Sequence, residues 1–401
     1  MSNFKLEFTL KQHTPMIHFQ HDQAGATLRA TELKPKLDKF ILKKIGDGNY
    51  KSGIQKAKEN GWLIGNDTDK PALDYKVRIK KIQKYEKNGN VVIIPPDKDN
   101  WIMSYGVNIT LTSFKTDLLL KFKGENNEPS NLLKEFFVLN NFGKRQSKGF
   151  GAFYPKTLSK KELEVLLLQS GKDIYLYNRR LNIAPYKDKF NPAFFYIKII
   201  IPEWQRLKSG KNFHGYEKSR VFQYLIEKKF RWDKRWIKRQ LNKLIENQAL
   251  PYDLKYEKEP IDINNNNTWN DNTNEEYRYG RAMLGLAEHY EYLTANKNYK
   301  YQVIVDGGEI ERFKSPITFK IFEENVYAII EDIPDEIFNT SFQFKVQKKR
   351  KQNRKFIKDG KEITIDAHLF TPLNTNEFDI KEFSKKYLQD INFNSLKNVQ
   401  S

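Results

Sequence analysis

Asn141-Phe-Gly-Lys-Arg-Gln-Ser-Lys-Gly-Phe-Gly-Ala152 places three glycines and three cations directly after an apolar helical segment. Gly143, Gly149 and Gly151 accept positive φ and let another backbone come close. Lys144, Arg145 and Lys148 supply the charge that a polyanion needs. Two readings fit the pattern: a basic helix C-terminus closed by a glycine cap, or a loop that holds phosphate. The rest of the sequence favours the second.

At 401 residues the chain exceeds one typical domain, so two are expected. Seventy Lys and Arg against 50 Asp and Glu leave a net charge of +20, which favours nucleic acid first and an anionic membrane second. Cysteine is absent, excluding disulfides, thiolate catalysis and Cys-based metal sites. The N-terminus alternates and carries charge, unlike a signal peptide. No run approaches the ~18 apolar residues of a membrane span. These features predict a soluble, cytoplasmic protein without cofactor or metal.

Phe4, Leu6, Phe8 and Leu10 alternate with polar residues as in a half-buried strand. Leu33, Leu37, Phe40 and Ile41 follow at helical spacing, with Pro35 expected in the first turn. Tyr75, Val77 and Ile79 alternate again, and Asn88-Gly89 signals a tight turn before Val91–Ile94. Val107, Ile109 and Leu111 predict another strand. Ser130 reads as the N-cap of a helix that runs into the glycine loop. This order fits an α+β, ferredoxin-like unit with insertions.

After a helix over 160–169 the pattern is expected to restart, with Ala193–Ile201 as a buried strand. Tyr216–Ile245 carries apolar residues at helical spacing, as one or two helices. The tract 262–276 is rich in Asn and predicts a loop. Strands are expected at 301–305, 317–322, 326–330 and 342–346, and Asp359-Gly360 signals a hairpin. The domains are therefore set at 1–185 and 186–401.

Residues 205–245 hold thirteen cations and three acids, with Trp204, Phe213, Tyr216, Trp232 and Trp236 interleaved. Cations hold phosphates while flat rings stack unpaired bases. An amphipathic helix with a solvated cationic face and aromatic core residues is the competing account. A second run, Lys345–Lys361, has nine cations and only Asp359 acidic; a flexible basic hairpin tip accounts for it as well as a phosphate-contacting segment does.

Chemistry that breaks bonds has fewer signals. His13, His18 and His21 cluster beside Asp22 after the first strand. A loop histidine can serve as general acid or base in metal-free RNA cleavage, and Asp22 can help hold a divalent ion at a scissile phosphate. Plain polar surface is the commoner fate of such residues. No P-loop, nucleophile elbow or dinucleotide fingerprint is present.

Phe8-Thr-Leu-Lys-Gln-His-Thr-Pro15 and Ala26-Thr-Leu-Arg-Ala-Thr-Glu-Leu-Lys-Pro-Lys-Leu37 resemble the opening of RAMP-superfamily CRISPR proteins. Gly143-Lys-Arg-Gln-Ser-Lys-Gly-Phe-Gly151 is similar to their basic glycine-rich loop. Arg281-Ala-Met-Leu-Gly-Leu286 and Arg312-Phe-Lys-Ser-Pro-Ile317 resemble elements of one branch, the first RAMP subunit of the type III-B (Cmr) effector complex. Asn141-Phe142 replaces the usual double glycine, and Ala287 stands where proline is common.

The resemblance implies two tandem ferredoxin-like (RAMP) domains and a non-catalytic subunit. Such a subunit binds the 3′ part of the guide RNA (crRNA), or the guide–target RNA duplex, beside other RAMP subunits in antiviral defence. Arg29, Lys34 and Lys36 and the loop residues Lys144, Arg145 and Lys148 become phosphate contacts. Arg281, Arg312 and Lys314 are their counterparts in the second half. Charge alone adds Lys211, Lys218, Arg220, Lys228 and Arg235. Amides of the glycine loop are expected to form an anion nest. The rivals are an endoribonuclease of the same superfamily, using His18 or His21 for guide processing or Asp22 for target cleavage, and a basic adaptor for protein or membrane.

Overall fold

A computed structural model gives the structure. It describes residues 4–17, 28–65, 70–81, 86–87, 90–91, 101–102, 106–178, 192–212, 216–255, 276–308, 310 and 313–399. The chain forms a mixed fold of helices and antiparallel sheets in two compact units. One comprises 1–200, 318–329 and 393–401; the other comprises 201–317 and 330–392.

In the first unit, β1 (Lys5–Gln12) leads to α1 (Ala30–Ile45) and α2 (Tyr50–Glu59). Next come β2 (Lys76–Lys81), β3 (Gly106–Thr112), α3 (Thr116–Phe122), α4 (Asn131–Leu139) and β4 (Phe153–Pro155). The sheet runs β2-β3-β1-β4, and every neighbouring pair is antiparallel. The alternation of β1 turns Leu6, Phe8 and Leu10 inward. There they join Leu33, Leu37 and Ile41 of α1 and Leu133, Phe136 and Phe137 of α4 in one core. Burying a side chain of this size contributes about 1.5–3 kcal/mol. The Ser130 hydroxyl accepts from the Leu133 amide, capping α4 as expected.

A second sheet in this unit combines distant segments. It contains β5 (Asp173–Tyr177), which follows α5 (Lys160–Gln169), together with β8 (Ile317–Phe322) and β9 (Asn325–Ile330). The short strand β13 (Phe393–Ser395) completes it, in the order β8-β9-β5-β13. Leu163, Leu166 and Leu167 of α5 pack with Ile174, Tyr327 and Ile329.

Helix α6 (Pro192–Lys208) replaces the strand expected at Ala193–Ile201. A short apolar run does not distinguish a buried strand from a buried helix. The buried residues Ile197, Ile200, Trp204 and Leu207 lie at helical spacing, and that stripe extends beyond the run.

The second unit holds α7 (Arg220–Glu227) and α8 (Asp233–Glu246). Its sheet has β6 (His289–Leu293), β7 (Tyr299–Asp306) and β10 (Ser341–Gln352) in order, with β11 (Lys355–Lys358) and β12 (Ile363–Phe370) both paired to β10. All these pairings are antiparallel. Among the described residues no α-helix intervenes between β6 and β12. Trp236, Ile237 and Leu241 of α8 cover Tyr301, Val303, Phe344 and Val346. Helix α9 (Ile380–Tyr387) follows.

Two local expectations are corrected. Pro35 lies in the second turn of α1, because the helix begins at Ala30, and it gives up one intrahelical hydrogen bond. The hairpin signalled at Asp359-Gly360 turns instead at Asn353 and Arg354, whose φ values are 48° and 63°. Residues 359–362 join two strands that lie along the same side of β10. Lys87 pairs with Asn90 as a hairpin requires, while Asn88-Gly89, residues 92–94 and nearly all of the Asn-rich tract lie outside the described residues.

Close approach of α1 and α2 depends on Gly53. A Cβ there would sit 1.7 Å from the Leu42 carbonyl oxygen. Gly53→Ala is therefore expected to lower stability by about 1–3 kcal/mol, read by urea denaturation. An unchanged midpoint would show that the two helices separate without cost.

Candidate nucleic-acid interface

Helix α4 ends at Leu139 and leaves backbone carbonyls without helical donors. Lys320 of β8 answers them. Its Nζ donates to the carbonyls of Phe137 at 2.9 Å and Asn140 at 2.6 Å, and to Asn141 Oδ1 at 2.7 Å. This ammonium is buried, and it sits at the negative end of the α4 dipole. Asn141 in turn donates from Nδ2 to the carbonyls of Gln146 and Phe319. The start of the glycine loop is thus tied to β8, far away in sequence. An isolated Lys in an apolar strand carried no sequence signal for this role.

The loop then folds inward through its amides. Gly143 donates to Glu32 Oε1 at 2.6 Å, Lys144 to the Ile17 carbonyl at 2.8 Å and Gly151 to the Pro15 carbonyl at 2.9 Å. Lys148 and Gly149 donate to the Arg145 and Gln146 carbonyls. Five amides expected in an anion nest are therefore engaged within the protein. Gly143, Gly149 and Gly151 do adopt positive φ. A Cβ on Gly151 would lie 1.8 Å from the Phe142 carbonyl oxygen, so close backbone approach is one reason for glycine there.

The loop's outward side is made of side chains. Lys144 and Arg145 are exposed, and Arg145 holds φ 55° at the apex. Lys148 is half-buried, and burial, reinforced by Arg145, lowers its pKa. Lys36 reaches back from α1 to the Asn141 carbonyl at 2.9 Å and Gln146 Oε1 at 2.7 Å. Arg29 stands partly exposed at the N-terminus of the same helix. Lys34 is directed elsewhere, to Asp38 Oδ2 at 2.7 Å and the Leu73 carbonyl. The structure thus brings Lys36, Gly143, Lys144, Arg145, Lys148, Gly149 and Gly151 together, with Lys36 bracing the loop and Lys34 on a separate network.

The cations of the second unit are more dispersed. Arg220 faces Asp390 and Glu217, Lys228 faces Glu382, and Lys314 faces Glu331. Lys211 lies 4.0 Å from Glu203, and burial lowers its pKa. Lys218 and Arg235 are partly exposed, with the Lys218 ammonium 6.0 Å from the Phe222 ring centre. Arg281, expected to contact phosphate, is buried and ion-paired with Asp233. Burial opposes the Arg281 charge, yet Asp233 keeps the guanidinium more firmly protonated than usual. Its position is a core one, because an uncompensated charge there would be costly. Arg312 lies outside the described residues.

Aromatic residues tell the same story. Trp204, Trp232 and Trp236 are buried and occupy core positions, which favours the amphipathic-helix account over open stacking platforms. Sequence spacing alone does not separate these roles.

His13 is buried against Phe322 and Tyr154, and its Nδ1 accepts from the Glu323 amide at 3.2 Å. Burial, with help from Lys11 and Lys320, brings its pKa down to about 3. The ring is neutral at physiological pH and is committed to packing. His18, His21 and Asp22 lie outside the described residues, and among those described no three His, Asp or Glu side chains converge as metal ligands.

Two outcomes follow from this geometry. Lys320→Met leaves buried carbonyls unanswered and is expected to cost about 2–4 kcal/mol in denaturant unfolding; an equally stable variant would refute the fastening role. His13 is protonated far more easily unfolded than folded, so its contribution is full above pH 6.5 and is lost as pH falls toward 3. Between pH 7 and 5 that loss is about 2 kcal/mol, and His13→Gln is expected to flatten this part of the stability–pH curve. A variant with the wild-type slope would exclude His13 as its source.

No curated protein sequence matches this chain. Family comparison is more informative. Residues 3–211 match the Cmr1 N-terminal domain, and residues 216–401 match the Cmr1 C-terminal domain. Together with the pinned basic loop, these matches place the chain in the Cmr1 family of type III-B CRISPR proteins.

Proposed function

We propose that this protein is a non-catalytic RNA-binding subunit of a type III-B CRISPR effector complex. It contacts the 3′ part of the guide RNA, or the guide–target duplex, beside other RAMP subunits in the cytoplasm. The observation that carries this reading is the glycine loop. Its amides are engaged inward, its path is fixed by Lys320, Lys36 and Glu32, and Lys144 and Arg145 are exposed at its outer side. Two cations on a backbone held in this way contact phosphate with little ordering cost. The net charge of +20 supplies a long-range field of the right sign.

The β2-β3-β1-β4 order, with helices between β1 and β2 and between β3 and β4, supports a ferredoxin-like N-terminal domain. A second such domain in the C-terminal half rests on family membership alone. Functional domains at 1–185 and 186–401 belong to this same proposal.

Lys144→Gln with Arg145→Asn removes both charges and suits the left-handed backbone at 145. If both residues touch phosphate, the slope of log affinity for single-stranded RNA against log salt falls by about 1.4, with the melting temperature unchanged. Unchanged RNA affinity alongside a lower melting temperature would return the loop to a purely structural cap.

A further inference from the structure

The basic run from Lys345 to Lys361 forms a ribbon in the second unit. β7 ends its pairing with β10 at Tyr299 opposite Arg350, while β10 and β11 stay paired from Lys349–Lys358 to Gln352–Lys355. The last residues therefore continue as two strands closed by Asn353 and Arg354, both left-handed, as a tight hairpin requires. This tip is regular structure, continuous with a strand whose Phe342, Phe344 and Val346 lie in the core.

Directly opposite residues share one face of an antiparallel sheet. Lys300, Lys349 and Lys358 accordingly form a row of like charge across three neighbouring strands. Glu291 answers Lys300 at 2.6 Å and Glu362 answers Lys358 at 3.1 Å. Among the described residues no carboxylate pairs with Lys349, nor with Arg350, Lys351, Arg354 or Lys355. Like charges placed opposite one another are destabilising, so Lys349, between two lysines and with no carboxylate of its own among the described residues, carries a cost that a polyanion would relieve.

Spacing and chemistry narrow the partner. Lys349 and Lys351 lie two residues apart on one face, a rise of about 6.8 Å, comparable to successive phosphates on an extended strand. Lys351 stands opposite Phe356, whose ring lies 4.3 Å from the Lys300 ammonium. Ile357 near the tip and Leu293 opposite Lys300 are the large exposed apolar side chains described around the row. Insertion into a membrane surface needs more apolar contact than this.

We propose that this ribbon is a second RNA-contact surface, gripping the sugar–phosphate backbone through Lys349 and Lys351 on one face and through Arg354 and Lys355 where the chain turns at the tip. The proposal rests on the RNA-binding reading above, and it assigns a site independent of the glycine loop.

The test uses the full chain and a labelled single-stranded RNA titrated across a salt series. Lys349→Gln, Lys351→Gln, Arg354→Asn and Lys355→Gln are combined, with Asn chosen for the left-handed position. The salt slope is expected to fall by about 2.8 for four lost contacts, adding to the loss from the loop variant. If the combined variant melts lower than wild type, Arg354→Asn with Lys355→Gln at the exposed tip should still lower the slope by about 1.4. An unchanged slope in the ribbon variants, with weaker binding in the loop variant, overturns the ribbon site and leaves the proposed function standing. Absence of RNA binding by the wild type overturns both. Retained RNA affinity with loss of binding to phosphatidylserine vesicles overturns the ribbon site in favour of a lipid surface.

Discussion

One buried ammonium organises the first unit. Helix α4 stops before Asn140, and its last carbonyls point into protein rather than water. Lys320 satisfies two nearby carbonyls and the Asn141 side chain together. Unpaired, those groups would each cost about 1–3 kcal/mol. Because Asn141 begins the glycine loop, the capping interaction also sets where the loop starts and which strand it follows. Phe319 donates its amide to the Ser147 carbonyl and extends the same attachment.

The consequence for function is a division of labour within the loop. Backbone amides and the Asn141 and Gln146 side chains hold the structure, while Lys144 and Arg145 stand exposed. Glu32 and Lys36 of α1 clamp the loop from another direction, through Gly143 and Gln146. A cation carried on a backbone held this way loses less freedom when it meets phosphate than one on a mobile tail. The Thr14–Pro15 segment lies under the loop, with the Thr14 hydroxyl accepting from Ala152 and the Pro15 carbonyl accepting from Gly151. His13 beside it belongs to the packing and not to proton transfer.

Net charge proves a poor guide to where the positive surface lies. The stretch 205–245 is strongly basic in sequence, yet Glu382 and Asp390 from more than a hundred residues away pair with Lys228 and Arg220. Lys208 is buried and donates to the Gly285 carbonyl, and Arg281 is held by Asp233. The ribbon of β10 and β11 has fewer such partners. Its charge survives folding, whereas much of the helical cluster's charge is answered internally.

Local pattern determined much of this protein. Alternation fixed β1 and β3, helical spacing fixed α1 and α5, Ser130 marked the start of α4, and three glycines marked the loop where positive φ is adopted. Each of these signals arises from neighbours in sequence, so the sequence carries it whole. Tertiary structure decided the rest. Ala193–Ile201 became helical because its apolar stripe continues to Leu207, beyond the window that suggested a strand. Lys320 became a helix cap, Arg281 a core ion pair and the three tryptophans packing residues through contacts with distant segments. A charged or aromatic side chain has the same identity whether it faces solvent or core, and only the fold supplies the partner that distinguishes the two.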